Sequence, residues 1–498
     1  MKRSGTRSNR KNSVRAKSAA RTGVSRRRFL GSVVAGVGAS SLLQSKFGIA
    51  SSVLGAPIPQ TPQSFRIATQ GSPTGTGKQV LTASDFQYAG LFTLPGPTAG
   101  VRFGYSSGAM TARRVGGTLQ FLVTGVNADA GGLPGDLVHE VSYPGYGSSI
   151  ENAPRAALIR TWGDVYQGKR LIASSNVFPT RGLHWGNDQL YWAYGDAYNV
   201  VSNHDPSIGT SVLNADGSVQ AYGPWRTQEH SQKTRGYMLT VPPWFTPYTN
   251  GSTFGVGAPI TSSDLMSPWG AFLAAAPLPS NGTPPDMPGT SHVSMACQPL
   301  IYHDINNKQH RDTNYNYCDY TVKYDASQGG YVHAGTPEFT LIDTMSAAAL
   351  IDLPTKHGVV FFGQLASTIP GFRYADGGTT CHVWYGVPTC VHGQSGAPIS
   401  QGTGPAAGTM VPYLWVYDPA DLVLAAQGRV KPWSFDPTSV IPVSSMSTIA
   451  GQANAWCMFG GAYFDAFTST LFVSQIAIDW TASRFESQPV IHVFKIRG

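Results

Sequence analysis

The chain has 498 residues and a formal net charge of +8 at pH 7, but this charge is unevenly distributed. Twelve of the 35 basic residues, and none of the 27 acidic ones, lie in the first fifty positions. Residues 51–498 carry 23 basic and 27 acidic residues, a formal charge of −4. This charge gives no electrostatic reason to expect binding to nucleic acid or to an anionic membrane. Charged residues make up only 12% of the chain, while Gly, Pro and aromatic residues are plentiful. This composition is typical of short strands joined by turns.

The first fifty residues contain a motif typical of protein export. A basic region leads to Ser25-Arg26-Arg27-Arg28-Phe29-Leu30, and a weakly apolar run of small residues follows over Gly31–Leu43. This pattern resembles a twin-arginine (Tat) signal peptide, which implies a bacterial protein exported to the periplasm or the extracellular medium. A basic arm that binds nucleic acid would not explain the apolar run, and that run is too short to span a bilayer. We therefore expect cleavage after Ala50, or alternatively Ala56, and no membrane attachment afterwards.

Residues 51–84 are expected to form a flexible lead-in, and residues 85–498 a single all-β domain. Five segments of this domain share one pattern: a strand of small residues, a polar turn, and a strand of β-branched or aromatic residues. The first strands begin near Ser107, Arg181, Gly236, Ala347 and Gly461, and the second strands near Leu119, Leu190, Phe254, Val359 and Leu471.

A third strand follows each of these pairs, and some copies also have a fourth. The third strands are Val138–Tyr143, Thr210–Asn214, Ala271–Ala275, Leu414–Asp418 and Val490–Phe494. Small four-stranded sheets repeated along a chain bury their faces against one another, which is the architecture of a β-propeller. We predict five blades. Seven blades is the alternative because the long intervals after Gly236 could hide two more, and a pair of β-sandwiches is a further possibility. The chain resembles uncharacterised exported propeller proteins of bacteria.

The end of the chain predicts how the ring closes. The last copy stops after its third strand at Phe494, so Phe86–Phe92 is expected to supply the fourth strand and to remove an open edge. Helix is a minor component, with Asp418–Gly428 as the best candidate. Two stretches, residues 275–320 and 367–411, are expected to be loop insertions on one face.

Five cysteines leave at least one thiol unpaired. We expect disulfides between Cys381 and Cys390 and between Cys297 and Cys318, with Cys457 free. The alternative is a zinc site at Cys381, His382, Cys390 and His392, although the spacing fits no common zinc pattern. A second group, His303, Asp304, His310, Asp312 and Asp319, has ligands that could hold calcium, which is the possible cofactor that we name, although no calcium-loop motif is present. We assign no metal ligands.

No motif in the chain defines a reaction, so the candidate site follows from the predicted fold. Ligands of propellers bind over the central channel, next to the first strands and their turns. Carboxylates on opposite sides of a channel could be the acid and base of glycoside hydrolysis, imidazole can transfer protons, and indole can stack on sugars. The predicted catalytic residues are His184, Asp188, Asp352 and Asp465, and the predicted substrate-binding residues are Arg181, Trp185, Arg235, His357, Trp384 and Tyr385.

These residues favour a carbohydrate-active hydrolase or lyase that acts on an extracellular polysaccharide as a monomer. A non-catalytic propeller that binds a glycan or a protein is the alternative. A metal-dependent lactonase or redox propeller is the third hypothesis.

Overall fold

The computed structural model describes residues 77–498 with eighteen interruptions. These are residues 99–100, 105, 127–136, 171–179, 196–204, 260–267, 269, 288–292, 305–321, 326–329, 334–343, 369–372, 377–378, 385–386, 392–408, 444–458, 480 and 483–486. The segment that resembles an export signal, residues 1–50, therefore lies outside the described residues. No helix in the described ranges has the length and apolar character needed to cross a bilayer.

The described chain begins with two strands and one turn of 3-10 helix, and then forms two four-stranded sheets, blades 1 and 2. The opening elements are β1 (Gln79–Val80), the 3-10 helix Ala83–Asp85 and β2 (Phe86–Thr93). Blade 1 consists of β3 (Met110–Val115), β4 (Thr118–Thr124), β5 (Val138–Ser142) and β6 (Leu158–Gly163). Blade 2 consists of β7 (Thr180–Gly186), β8 (Gln189–Tyr194), β9 (Ile208–Leu213) and β10 (Val219–Trp225).

A short helix, α1 (Ser231–Thr234), connects blade 2 to blade 3. Blade 3 consists of β11 (Met238–Thr240), β12 (Phe254–Val256), β13 (Phe272–Ala276) and β14 (Gln298–Tyr302), with a 3-10 turn at Thr246–Tyr248 between its first two strands. The hairpin of β15 (Val322–Asp325) and β16 (Gly330–His333) follows.

Blade 4 contains β17 (Thr344–Asp352), β18 (Lys356–Thr368), β22 (Thr409–Tyr417) and β23 (Ser439–Pro442). A separate sheet of β19 (Arg373–Asp376), β20 (Thr379–Trp384) and β21 (Val387–Val391) lies between its second and third strands in sequence, and α2 (Pro419–Ala426) precedes its last strand. Blade 5 contains β24 (Phe459–Asp465), β25 (Thr470–Asp479) and β26 (Gln488–Ile496).

The ring closes by pairing the two ends of the domain. β2 is the outermost strand of blade 5, antiparallel to β26, with Phe86 opposite Ile496 and Thr93 opposite Val490. The predictions of a five-bladed β-propeller and of closure by the N-terminal strand are therefore confirmed. The predicted helix is also present as α2, where the Asp418 carboxylate caps the first turn by accepting from the Ala420 N–H.

The strand ends define two faces of the propeller. We call the face where first strands turn into second strands (residues 116–117, 187–188, 241–253, 353–355 and 466–469) the hairpin face. The crossover face holds the starts of the first strands, near Ser107, Thr180, Met238, Met345 and Phe459. At the hairpin face Arg114 of blade 1 donates to Asp465 of blade 5 over 2.6 Å. At the crossover face the Ser107 hydroxyl donates to the Thr180 carbonyl over 2.5 Å. Neighbouring first strands therefore run in the same direction.

Small residues are required where the first strands approach one another. A Cβ added to Gly182 of β7 would lie 1.7 Å from the carbonyl oxygen of Gly236, which precedes β11. A Cβ on Gly460 of β24 would lie 2.4 Å from the backbone of Gly108. Farther from the axis, aromatic rings fill the space between blades, as at Phe121 and Phe472, whose ring centroids are 4.9 Å apart.

Three sequence expectations differ from the structure. The stretch 275–320 is not a single insertion, because β14 lies within it and its two flanking segments leave opposite ends of that strand. The lead-in 51–84 is held in place at its end, since β1 pairs with β18 and Lys78 forms an ion pair with Asp352. Cys297 is a free buried thiol, so the bridge to Cys318 is absent.

Candidate functional site

The predicted catalytic residue Asp465 bridges two blades at the hairpin face. It is buried at the end of β24, and its Oδ2 accepts from Arg114 at 2.6 Å and from the Thr468 hydroxyl at 2.6 Å. The guanidinium of Arg114 also stacks on the exposed ring of Phe467. These contacts fix the turn of β24 against blade 1.

The register of blade 4 brings Asp352 and His357 together. They are paired across the β17–β18 hairpin. Asp352 accepts from the indole N–H of Trp244 at 2.8 Å and from Lys78 at 2.5 Å. The ring of Trp244 lies 5.8 Å from that of His357, whose Nε2 is 3.5 Å from Asp418 Oδ1. Two predicted site residues thus share one cluster, but His357 is buried and both oxygens of Asp352 already have donors.

The predicted residues of blade 2 lie along β7 and its turn. His184 is half-buried between the rings of Tyr191 and Phe254, and desolvation lowers its pKa to about 4, so the imidazole is neutral at pH 7. The Trp185 ring stacks on the guanidinium of Arg113 of blade 1 at 4.7 Å. Asp188 is exposed in a two-residue turn in which it has a φ of 56°.

The remaining predicted residues are distributed over the molecule. Arg181 is the second residue of β7, toward the crossover face. Arg235 is buried just before β11 and packs closely against Gly195 at the end of β8. Trp384 ends β20, but its side chain, like the whole of Tyr385, lies outside the described residues. The structure therefore brings Asp352 and His357 together and places Asp188 and Asp465 in separate blades.

A buried polar segment connects blade 2 to blade 3 at the crossover face. Residues 226–235, between β10 and β11, include two arginines, a lysine, a glutamate and a histidine, and most of their side chains are buried. The Thr234 hydroxyl lies 3.1 Å from that of Ser207 and 3.2 Å from that of Thr227. The side-chain amide of Gln228 donates to the carbonyl of Cys297 in blade 3. Burial of so many polar groups requires the dense hydrogen bonding observed here.

Four side chains from two segments meet at the end of β14, and we call them the Tyr302 cluster: Glu229, Lys233, Tyr302 and Asp304. Lys233 of α1 is buried and donates to the Tyr302 hydroxyl oxygen at 2.5 Å, and its Nζ lies 3.7 Å from Asp304 Oδ2. The side chains of Glu229 and Asp304 also interact with the Tyr302 side chain. Tyr302 and the two carboxylates are half-buried, so the cluster extends to the surface.

The electrostatics of the Tyr302 cluster favour a protonated phenol. Burial, reinforced by the charges of Glu229 and Asp304, raises the pKa of Tyr302 above its usual value. Burial lowers the pKa of Lys233, whereas Asp304 and Glu229 oppose that shift. The single hydroxyl proton can serve either carboxylate, so the phenol links two proton acceptors beside one ammonium group.

The Tyr302 cluster brings two carboxylates, those of Glu229 and Asp304, close to one ammonium group and one phenol. Glycosidases use a pair of carboxyl groups for acid–base and nucleophilic catalysis. The residue types of the cluster therefore suit chemistry of this kind.

Sequence reasoning missed the Tyr302 cluster. Glu229 and Lys233 belong to a run of polar residues that ordinarily indicates an exposed loop, and Tyr302 comes from a strand 69 positions after Lys233. The one available signal was the cluster of titratable residues at His303 and Asp304, which we considered for calcium.

The predicted metal and disulfide sites are largely outside the described residues. Within the described part of the chain, no three His, Cys, Asp or Glu side chains are grouped so as to hold a metal ion. His310, Asp312, Asp319, Cys318, His392 and Cys457 are not among the described residues. The backbone register of β20 and β21 places Cys381 opposite Cys390. Burial raises the pKa of the free Cys297 thiol to about 12.

The fold defines the chain as a five-bladed β-propeller, with a cluster of titratable side chains at its crossover face. No family model and no curated protein matches it. It is similar to the solved structure of a DUF4221 family member from Bacteroides vulgatus, with 8% identity, 83% of this chain and 98% of that chain covered, and a TM-score of 0.28. For Saccharomyces cerevisiae Sqt1 the values are 8% identity, 79% and 83% coverage, and a TM-score of 0.24. At this level of similarity, neither protein defines the function of this chain.

Proposed function

We propose that this protein is an exported propeller that cleaves an extracellular polysaccharide at the Tyr302 cluster. The observation that carries the proposal is the meeting of Glu229 and Asp304, from two different segments, on the hydroxyl of Tyr302. Glycoside hydrolysis ordinarily uses a pair of carboxyl groups that flank the scissile bond. The cluster lies at the crossover face, on the outermost strand of blade 3 and among the connections between blades, and loops on a rigid scaffold often carry function.

The surroundings suggest a role for each group. Lys233, whose Nζ lies 3.7 Å from Asp304 Oδ2, stabilises that carboxylate in its ionised form, which suits the nucleophile that attacks the anomeric carbon. Glu229 then donates a proton to the departing glycosidic oxygen and, in the second step, accepts one from the water that releases the sugar. Tyr302 remains protonated and holds the two carboxylates in position.

The test measures the turnover of a panel of neutral and acidic polysaccharides, which is monitored by the release of reducing ends. We expect Glu229→Gln and Asp304→Asn each to lower kcat by at least about 100-fold. Glu151→Gln, at an exposed glutamate in another loop, is the matched control and should retain full activity. Full activity in both cluster variants would overturn the proposal.

The other functional hypotheses predict different outcomes in the same assay. Asp188→Asn and Asp465→Asn test the hairpin face. If either variant loses turnover while the variants of the Tyr302 cluster stay active, the catalytic site lies at the hairpin face. An unsaturated product would indicate a lyase, and turnover abolished by a chelator would indicate a calcium-dependent or other metal-dependent enzyme. Glycan binding without cleavage, weakened by Tyr302→Phe, would indicate a binding propeller.

A further inference from the structure

A connection of blade 4 lies along the outer strand of blade 3, next to the Tyr302 cluster. This connection, residues 427–438, follows α2. The side-chain amide of Gln298 donates to the carbonyl of Ala426 in α2 at 2.7 Å, and the N–H of Tyr302 donates to the carbonyl of Pro432 at 3.1 Å. Tyr302 therefore holds the connection through its backbone, while its side chain belongs to the cluster.

The connection forms a turn beside Tyr302 that presents an indole ring to solvent. The N–H and the hydroxyl of Ser434 donate to the carbonyl of Lys431 at 3.0 and 2.9 Å, which closes the turn. Phe435 packs inward, with its ring centroid 6.4 Å from that of Tyr417. Trp433, within the turn, is 41% exposed. A flat apolar surface is thus held at a defined place on the outside of the molecule.

Basic side chains accompany this ring. The ammonium group of Lys431 lies 5.8 Å from the centroid of the Trp433 ring, and the exposed Arg429 precedes it by two positions. Residues 427–435 contain no acidic residue. Within the described part of the chain, Lys431 forms no ion pair with a carboxylate. Its ammonium group can therefore pair with an anionic group of a ligand that stacks on the ring.

Bond lengths limit the distance between the indole and the Tyr302 cluster. The Pro432 oxygen is 3.1 Å from the Tyr302 nitrogen, and Trp433 is the next residue, so its Cα lies within about 6 Å of that nitrogen. From the same backbone position, the side chain of Tyr302 leads to Lys233 and Asp304. An extended ligand of several units can therefore contact the ring and the cluster at the same time.

We propose that Trp433 and Lys431 form a subsite for a carboxylated sugar, so that the substrate of the Tyr302 cluster is a polysaccharide that contains uronic acid. The C–H groups on one face of the sugar stack on the indole, and the carboxylate pairs with the ammonium group. Such a contact adds binding energy away from the bond that is cleaved. The identity of the substrate rests on the proposed function, whereas binding of the uronate requires no cleavage.

The test measures binding separately from turnover. Isothermal titration calorimetry of the purified protein uses oligosaccharides prepared from polygalacturonate, alginate and hyaluronate. The matched ligands are the same oligosaccharides after chemical reduction of their carboxyl groups, which converts each uronate into a neutral sugar. We expect at least one of the three to bind, and its reduced form to bind at least about tenfold more weakly because the ion pair is lost.

Three variants separate the two contacts. Trp433→Ala should weaken the binding of the charged and the reduced oligosaccharide alike by at least about tenfold, because the stacking surface is removed. Lys431→Gln should weaken only the charged one, to about the affinity of the reduced form. Phe467→Ala is the matched control, since it removes an exposed ring that also has a cation beside it, Arg114, but lies on the hairpin face. This variant should bind normally, and circular dichroism checks that all three are folded.

The proposal is overturned if none of the three uronates binds, if the reduced form binds equally well, or if Trp433→Ala binds normally. Failure of the proposed function has a different signature, in which the uronate binds through Trp433 and Lys431 but none of the polymers yields reducing ends. If a polymer is cleaved, Trp433→Ala should raise KM with little change in kcat, whereas Glu229→Gln lowers kcat.

Discussion

The buried carboxylate of Asp465 holds two blades together through an ion pair with the partly exposed Arg114. Replacing it by Asn preserves its volume but leaves the Arg114 guanidinium without its ionic partner. Because Arg114 is partly exposed, we expect Asp465→Asn to lower the free energy of unfolding by about 1–2 kcal/mol, less than for a fully buried pair. Urea unfolding of the two proteins measures this difference. An unchanged unfolding midpoint would show that the pair contributes nothing to stability.

Contacts between side chains could be predicted from the sequence only where a single hairpin brings the two residues together. Asp352 and His357 were candidates from sequence, and the short turn between their strands makes them neighbours. The contact between Trp244 and Asp352 depends on how blade 3 packs on blade 4, which no local pattern encodes. The Tyr302 cluster likewise depends on the path of residues 226–235 across two blades, and its polar residues resemble those of an exposed loop.

The first strands approach one another so closely that a single methyl group matters. In β7, Gly182→Ala would place the new Cβ 1.7 Å from the Gly236 carbonyl oxygen, a backbone atom that cannot move without displacing β11. We expect a loss of more than about 3 kcal/mol, or failure to fold. Gly96→Ala is the control, since no atom lies within 4 Å of its added Cβ. Thermal unfolding of both variants is the measurement, and equal midpoints would contradict the close approach.

The closing strand β2 is joined to blade 5 by a buried network as well as by its backbone ladder. The Tyr88 hydroxyl lies 3.1 Å from His492 Nδ1, and His492 Nε2 lies 2.9 Å from the Gln475 side-chain oxygen. We expect Tyr88→Phe to cost about 1 kcal/mol, because it leaves one buried imidazole nitrogen without its partner. Hydrogen exchange in β2 should rise in this variant while that of blade 2 stays the same. Equal exchange in β2 of both proteins would show that its backbone ladder alone holds the strand.

The architecture of the whole domain was predictable because it repeats. Five copies of one strand pattern determine five similar sheets, and a missing last strand identifies the closing one. The repeated strand pattern does not identify a strand that is interrupted by proline. β14 contains Pro299 and lies between stretches that carry many Pro, Asn and His residues, so residues 275–320 resemble one long insertion. Pairing with β13, which is a tertiary constraint, determines the strand there.

The response of the whole domain to acid follows from its buried neutral histidines. Desolvation lowers the pKa of His139 to about 4 and that of His492 to about 3, compared with an ordinary value of 6.5. Between these values the unfolded chain binds protons that the folded protein does not. Stability should therefore be constant above about pH 6.5 and fall as the pH drops toward 4.

Each of these two histidines should account for about 1–2 kcal/mol of the loss at pH 5. Urea unfolding at pH 7.5 and pH 5 measures the total, and the same pair of experiments on His492→Gln isolates one contribution. The variant cannot take up a proton at this position, so its stability should fall less between the two pH values, even if it is less stable at pH 7.5. If the two proteins lose equal stability, His492 is not the group that couples protonation to unfolding, and carboxylates such as Asp85, whose pKa is lowered in its ion pair with Lys356, would carry the acid sensitivity instead.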